Sequence, residues 1–378
     1  MAISLSFLTV IAASTAALAA APEQSPIRKR SDPPVVRSSW DDLLEGVKGP
    51  EDWQKHKQVL RQRYLALIRD DRKPDKPPLD LKTHESVTVD GVYTRRLISY
   101  NVESDERAHA YLGIPLDLKG RAPGIVALHG TYKQGKERAA GLIDSPDKAY
   151  LDHLARRGYV VIAPDHFVAG HRIPPEGHYE TGRFYKKHPE WTAVGKFTYE
   201  HSIAIDVLQT LKEVDADRIG ALGHSLGGHG TYFLAAYDRR IKASACNCGG
   251  AFFRHNPRVE AWARDHWYVY IKHIRPALLA GNLPPIDMHE IIALIAPRAF
   301  LELSGLNDGN PLTQRQRVLM NMKIMDVYAL EKAPQNFAFY VHGQGHSVPH
   351  DSRALMYAWM DKHLKGPAAT QTRRVGTK

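Results

Sequence analysis

Cysteine is nearly absent from this chain: there are two in 378 residues, Cys246 and Cys248. That excludes a disulfide-stapled scaffold. At i, i+2 in a strand the two thiols point to opposite faces, so they are expected as small core side chains and not as a bridge. Beyond the first 21 residues no apolar run is long enough to span a bilayer, and no stable membrane insertion is expected once that segment is removed. There is no internal repeat, which removes solenoid and propeller architectures. A recognised nucleic-acid motif is also missing. Lys and Arg outnumber Asp and Glu 51 to 41, a net charge of +10, but the basic residues are spread along the chain, so nucleic acid is not expected as a partner. Acidic polysaccharide or a cell surface suits that charge equally well. With 43% hydrophobic and 24% charged residues, the chain can bury a substantial core, and disorder throughout is excluded.

What is present divides unevenly. Residues 1–21 are apolar and end in small residues, with Ala17-Leu18-Ala19 as an A-x-A cleavage site, and read as a signal peptide that directs the protein to a secreted or periplasmic location. Residues 22–39, rich in Pro, Ser and Arg, read as a linker, and 367–378 as a basic tail. Residues 40–80 form an N-terminal helical extension, because Trp53, Val59, Leu60, Tyr64, Leu67 and Ile68 recur near helical spacing until the run DRKPDKPPLD breaks it.

The catalytic domain is expected over 81–366. SVTVDGVYTRRLISYNV and RAHAYLGIP predict antiparallel edge strands. GIVALHG, GYVVIAP, DRIGALGH, IKASACNC, PRAFLELSG and NFAFYVHG are short apolar runs separated by helix-length segments, the pattern of a doubly wound, mainly parallel α/β sheet. Two long insertions, 166–198 and 251–289, fall where parallel strands end and ligands bind.

Gly223-His224-Ser225-Leu226-Gly227 matches G-x-S-x-G between a strand and a helix, the context in which that motif presents a nucleophile. A serine on so tight a turn needs glycine on either side, since side chains there would meet the neighbouring strand and helix. Asp308, on the N-D-G-N turn after PRAFLELSG, and His346, after the last strand, follow in the order Ser, Asp, His. Ser225 is the expected nucleophile, His346 its base and Asp308 the acid that orients the base, with Asp287 and Glu290 as rivals for the acid. The oxyanion donors are expected to be the Leu226 amide and that of Thr131 or Tyr132, beyond the His129-Gly130 turn. His224 is read as packing. Asp165 and Arg172 are read as loop ties, and a metal set of His166, His171 and His178 is the weaker reading of that stretch. No metal and no cofactor are expected. In the insertions, Tyr179, Tyr185, Trp191, Trp262 and Trp267 are candidates for stacking on sugar rings, with Trp191, Lys196 and Trp262 the preferred substrate contacts.

On GYVVIAPDHF, VDADRIGALGHSLGGHGTYFLAAYDRRIKA and PRAFLELSGLND, residues 85 to 365 resemble the α/β-hydrolase superfamily, in its branch of secreted dienelactone-hydrolase-like and acetyl-xylan-esterase-like enzymes. LPPIDMHEIIALIAPRAF is similar to the segment before the acid strand of bacterial glucuronoyl esterases, which cleave uronic acid esters of plant cell walls. Their elbow carries Arg after the nucleophile, where Leu226 stands here, and Lys196 or Arg254 would then have to supply the charge. Dienelactone hydrolases use Cys in place of Ser225, and prolyl-oligopeptidase relatives carry a propeller for which this chain has no room. The resemblance implies a serine hydrolase that cleaves carboxylic esters through an acyl-enzyme, on a small-molecule or glycan ester. The alternatives are a binding protein that keeps the fold without turnover, or a lipase or peptidase of the same superfamily.

Overall fold

The computed structural model describes residues 35–309 and 311–366. The expected signal peptide and basic tail, and most of the expected linker, lie outside them. Nine strands form one sheet in the order β1-β2-β3-β5-β4-β6-β7-β8-β9. They are β1 (Lys82–Val89), β2 (Tyr93–Glu103), β3 (Glu106–Pro115), β4 (Ala122–Leu128), β5 (Val160–Pro164), β6 (Val214–His224), β7 (Ile241–Asn247), β8 (Ala299–Gly305) and β9 (Phe337–His342). From β4 to β9 the pairing is parallel, and β1 to β3 are antiparallel. The first extended stretch is thus two strands, divided at Asp90-Gly91, where both residues take positive φ and turn the chain into a hairpin.

Strands β4, β5 and β8 are buried along their whole length, as strands covered by helices on both faces must be. Two hydrophobic clusters line the two faces of the sheet. Edge strand β1 is exposed up to Val89, which is half-buried, and carries Lys82, His84 and Glu85, charges and polarity that discourage pairing with another chain. The segment expected as a helical extension holds the long helix Pro50–Ile68, which buries Trp53, Leu60, Tyr64, Leu67 and Ile68, between short 3-10 turns at Trp40–Leu44 and Asp70–Arg72. The long helix docks on the catalytic body, since Tyr64 Oη donates to the Phe233 carbonyl at 2.7 Å and Trp53 Nε1 to Glu331 at 2.9 Å. Among the described residues no helix is long and apolar enough to cross a membrane.

One buried ion pair fixes the loops above the sheet. Asp165, at the end of β5, accepts from the Lys136 amide at 2.9 Å, the Lys136 ammonium at 2.7 Å and the His171 amide at 3.0 Å. Both side chains of the pair are fully buried. Gly135 and Gly170 pack so closely that a Cβ would lie 2.2 and 2.0 Å from Asp165 Oδ1, and both have positive φ. The pair therefore ties the loop after β4 to the start of the first insertion, as expected for Asp165. Burial pushes the Asp165 carboxyl up, but the His171 and Lys136 contacts outweigh it and hold it down at about 2.

Asp165→Ala should cost about 3–5 kcal/mol of unfolding free energy, because it leaves the Lys136 charge buried and unpaired; a denaturant titration showing a loss under about 1 kcal/mol would contradict this. Since the folded carboxyl is depressed below its ordinary value of 3.8, the pair's contribution is fully present above that value and lost as pH falls towards about 2.

Candidate active site

Ser225 stands between β6 and the helix Leu226–Tyr237, with φ 59° and ψ −119°, a backbone geometry that costs on the order of 1–3 kcal/mol unless its surroundings enforce it. They do. A Cβ on Gly223 would lie 2.5 Å from the Gly227 backbone, and one on Gly227 would lie 2.1 Å from the Leu128 carbonyl oxygen, so the glycines are fixed by contact as the sequence requires. The Ser225 amide donates to the Asn247 carbonyl at 2.9 Å, which pins the turn to the end of β7.

His346 and Asp308 approach from the next two strand ends. The Ser225 hydroxyl lies 2.8 Å from His346 Nε2, and His346 Nδ1 lies 2.9 Å from Asp308 Oδ2. In the tautomer these distances allow, Nδ1–H donates to the carboxylate and Nε2 is free to accept the serine proton. Burial pushes the Asp308 carboxyl up, but the His346 bond and charge and the Arg317 guanidinium bring it below its ordinary value, so the acid stays ionised. The two loops are joined independently of the side chains: the amides of Leu306 and Asn307 donate to the carbonyls of His342 and Gln344 at 2.8 and 3.1 Å.

The rivals for the acid are used elsewhere. Asp287 caps the helix Met288–Ala293 in a capping box with Glu290 and also accepts from the Phe253 and Arg254 amides at 2.7 and 3.2 Å and from Arg254 Nε at 2.9 Å. No oxygen of Asp287 is left for a histidine.

Of the candidate oxyanion donors, Leu226 opens its helix, where an amide has no partner within the helix. The Tyr132 amide does not fit. It already donates to the Gly130 carbonyl at 2.8 Å and to Tyr179 Oη at 2.9 Å, because the buried Tyr179 hydroxyl is inserted into this loop and needs partners of its own. Thr131, exposed at the tip of the turn, remains.

The substrate contacts preferred from the sequence are corrected by burial. Lys196 is 1% exposed and its ammonium lies among Glu103, Glu106 and Glu200, so it neutralises interior carboxylates and offers nothing to a ligand. Trp191 packs between Phe184, His188 and Tyr199. Trp262 is buried against His229, its ring centroid 4.8 Å away, and Tyr270, and forms the wall behind the nucleophile helix. Arg254 is buried between Asp42 and Asp287. Tyr179 is also interior; of the five aromatics, Trp267 is the one with an open face, 38% exposed. The metal set does not assemble. His166 Nε2 meets Tyr268 Oη, while His171 Nδ1 meets Lys136.

Three residues that sequence reading passed over or left as packing lie beside His346 or Asp308. Asn247 Nδ2 reaches His224 Nδ1 at 2.8 Å and donates to the Ser347 carbonyl at 2.9 Å, next in the chain to His346. His224 packs as expected, its ring centroid 4.6 Å from that of His346. Burial, then the His346 charge, lowers His224 to about 3, so it is neutral. Cys248 places its thiol within 4.8 Å of the ligating atoms of Asp308 and His346, and burial and the Asp308 charge push it up to about 12. Both cysteines are free and buried. No pattern in the sequence marks Asn247; its place at the end of the strand after the nucleophile is the only signal.

A nine-stranded, mainly parallel sheet with a serine on the sharp turn after β6, an acid after β8 and a histidine after β9 decides the architecture. The chain has the α/β-hydrolase fold. A family model described as fungal glucuronyl esterase matches residues 171–329. YtaP of Bacillus subtilis (strain 168), which carries hydrolase in its name, is 27% identical over 304 residues, covering 76% of this chain and 95% of that one. The carbohydrate esterase MZ0003, from an unknown prokaryotic organism, is 27% identical over 252 residues, 56% of this chain and 58% of that protein, so the match spans little more than half of its length. Among solved structures, the α/β-hydrolase fold is shared with a carbohydrate esterase family 15 glucuronoyl esterase from Caldicellulosiruptor kristjansonii, at TM-score 0.60 and 20% identity over 88% of this chain and 91% of that one.

Asp308→Ala should lower kcat by about 10³–10⁴-fold with the fold intact. Asp287→Ala should instead destabilise the protein by about 2–4 kcal/mol, through the amides and guanidinium it strands, while activity per folded molecule stays within about threefold. Steady-state kinetics beside chemical denaturation separates the two, and the reverse pattern would transfer the acid role to Asp287.

Proposed function

We propose that the protein is a serine hydrolase that cleaves carboxylic esters of carbohydrates. The observation that carries this is the unbroken relay from Asp308 through His346 to Ser225, at 2.9 and 2.8 Å. Ser225 Oγ attacks the ester carbonyl while its proton passes to His346 Nε2. Asp308 holds the imidazole tautomer and balances the imidazolium, and the amides of Leu226 and Thr131 receive the oxyanion. The imidazolium returns its proton to the departing alcohol, and a water activated by the same nitrogen then releases the acid from the acyl-enzyme.

The substrate class rests on the site's openness and on the relatives. The His346 side chain is 48% exposed and Thr131 is at the surface, which suits a bulky saccharide better than a long acyl chain that needs an enclosed apolar channel. A relative that bears carbohydrate esterase in its name and the partial match to a glucuronyl esterase model support the same reading. Leu226 after the nucleophile leaves the uronate chemistry of those enzymes without its arginine, and the burial of Lys196 and Arg254 removes the two replacements. We therefore favour an ester on a saccharide hydroxyl, such as acetyl, over a uronate ester. In this reading residues 1–21 direct export, which places the enzyme where such glycans are found.

Native protein should release acetate from p-nitrophenyl acetate and from acetylated xylan, and Ser225→Ala should lower kcat on the order of a millionfold. Labelling by a fluorophosphonate probe should vanish in the same variant; a native protein that neither labels nor turns over any ester would be a binding protein. Trp267→Ala should raise KM for acetylated xylan about fivefold, from loss of stacking on the order of 1 kcal/mol, and leave p-nitrophenyl acetate unchanged. An equal effect on both substrates would remove Trp267 from the glycan path.

A further inference from the structure

At the end of the sheet opposite the triad lies a cleft of about 450 Å³. It is formed where the helix Pro50–Ile68 meets the C-terminal end of the nucleophile helix and the start of β8. Four cations line it: Lys57, Arg61, Arg239 and Arg298. Glu331, 2.8 Å from Lys57, is the carboxylate paired to them, and the nearby Asp238 carboxylate is committed to Arg240 at 2.6 Å. The remaining contacts are to uncharged carbonyls. Arg61 donates to Ala236 and Tyr237 at 3.0 and 3.2 Å, and Arg298 to Ile241 and Asp238 at 2.9 and 3.2 Å. Carbonyls satisfy hydrogen bonds but do not cancel charge. Glu331 is the one carboxylate paired with a lining cation and the Asp238 charge also acts on Arg298, so cations remain in excess around the concavity, and Arg239 is exposed with no hydrogen bond or ion pair among the described residues.

We infer that this cleft is a binding site for a small multivalent oxyanion of the phosphate or sulfate type, remote from the catalytic centre. Guanidinium forks match the geometry of such oxyanions and bind them bidentately. The glutamines Gln54 and Gln58 on the rim add neutral donors, which a dianion can use and a monovalent halide gains little from. The cations are held at a cost that an anion would relieve. Burial lowers Arg298 to about 10; Tyr328 and the Asp238 charge oppose the shift, and the charges of Arg239 and Arg61 add to it. Lys57 is lowered by burial, with Arg298 and Arg239 adding to it. The site does not depend on the proposed ester chemistry.

The test is thermal unfolding of the full chain, with inorganic phosphate titrated against sodium chloride at matched ionic strength. Phosphate should raise Tm saturably while chloride does not. Arg239→Ala removes a side chain without internal partners, so it should fold and hydrolyse esters as the native protein does while the phosphate midpoint moves up about tenfold. Gln58→Glu, which supplies a carboxylate within the cleft, should raise Tm in the absence of phosphate and suppress the further increment. Equal Tm changes with phosphate and chloride, or an Arg239→Ala protein that responds as native, would overturn the assignment.

Discussion

Everything at the site depends on a backbone conformation that a serine does not adopt by preference. Ser225 is held at φ 59° because β4, β6, β7 and the nucleophile helix converge on it so tightly that Gly223 and Gly227 have no room for a Cβ. The strain is local and its support is distributed. The sheet supplies rigidity through strands buried on both faces, and the Asn247 carbonyl supplies a hydrogen bond to the Ser225 amide. With the nucleophile fixed, the acid and the base need only be delivered by loops from strands farther along the sheet. Those loops are bonded backbone to backbone, so the imidazole is aimed before any substrate arrives.

The two insertions obey a different constraint. They carry many polar and charged side chains but must cover the sheet, so the charges that face inward are buried in pairs and their aromatics are in contact with one another. Arg172 lies between Glu106 and Glu200, and Lys196 shares the same acids. Thr181 Oγ1 donates to the Trp267 carbonyl at 2.7 Å and accepts from the Val269 amide at 3.2 Å, which joins one insertion to the other. Tyr179 reaches from the first insertion into the loop that presents Thr131. The cover therefore also braces the turn that carries Thr131, through the Tyr179 hydroxyl on the Gly130 and Tyr132 carbonyls.

This explains what could be read from the sequence and what could not. The strands were legible because burial on both faces writes itself as short apolar runs, and Ser225, Asp308 and His346 because each sits at the end of such a run in a fixed order. The choice of Asp308 over Asp287 was not settled by pattern. Both follow apolar or proline-rich segments, and only the amides of Phe253 and Arg254, more than 30 residues before Asp287, reveal that it is already occupied. Lys196 and Trp191 were misplaced for the same reason. A charge or an indole in an insertion looks available until its partners are known, and Glu103 lies over 90 residues from Lys196. Long-range pairing of polar groups is the information that local periodicity does not contain.

The histidines around the nucleophile show how such pairing serves chemistry. His129, His166, His201, His224 and His229 all lie beneath or beside the elbow, and each is lowered, with burial the largest cause. At neutral pH they are uncharged. A cationic neighbour so close would oppose the imidazolium that His346 must carry when it takes the serine proton, and in surroundings of low dielectric that opposition would be several-fold stronger than in water. The half-exposed His346 has the neutral His224 ring against it on the protein side, the Asp308 carboxylate at its far nitrogen and solvent in front. Asp308 is the carboxylate placed to balance a positive charge on that ring. The abundance of histidine around the elbow is therefore a set of buried, neutral rings and not a cluster of charges.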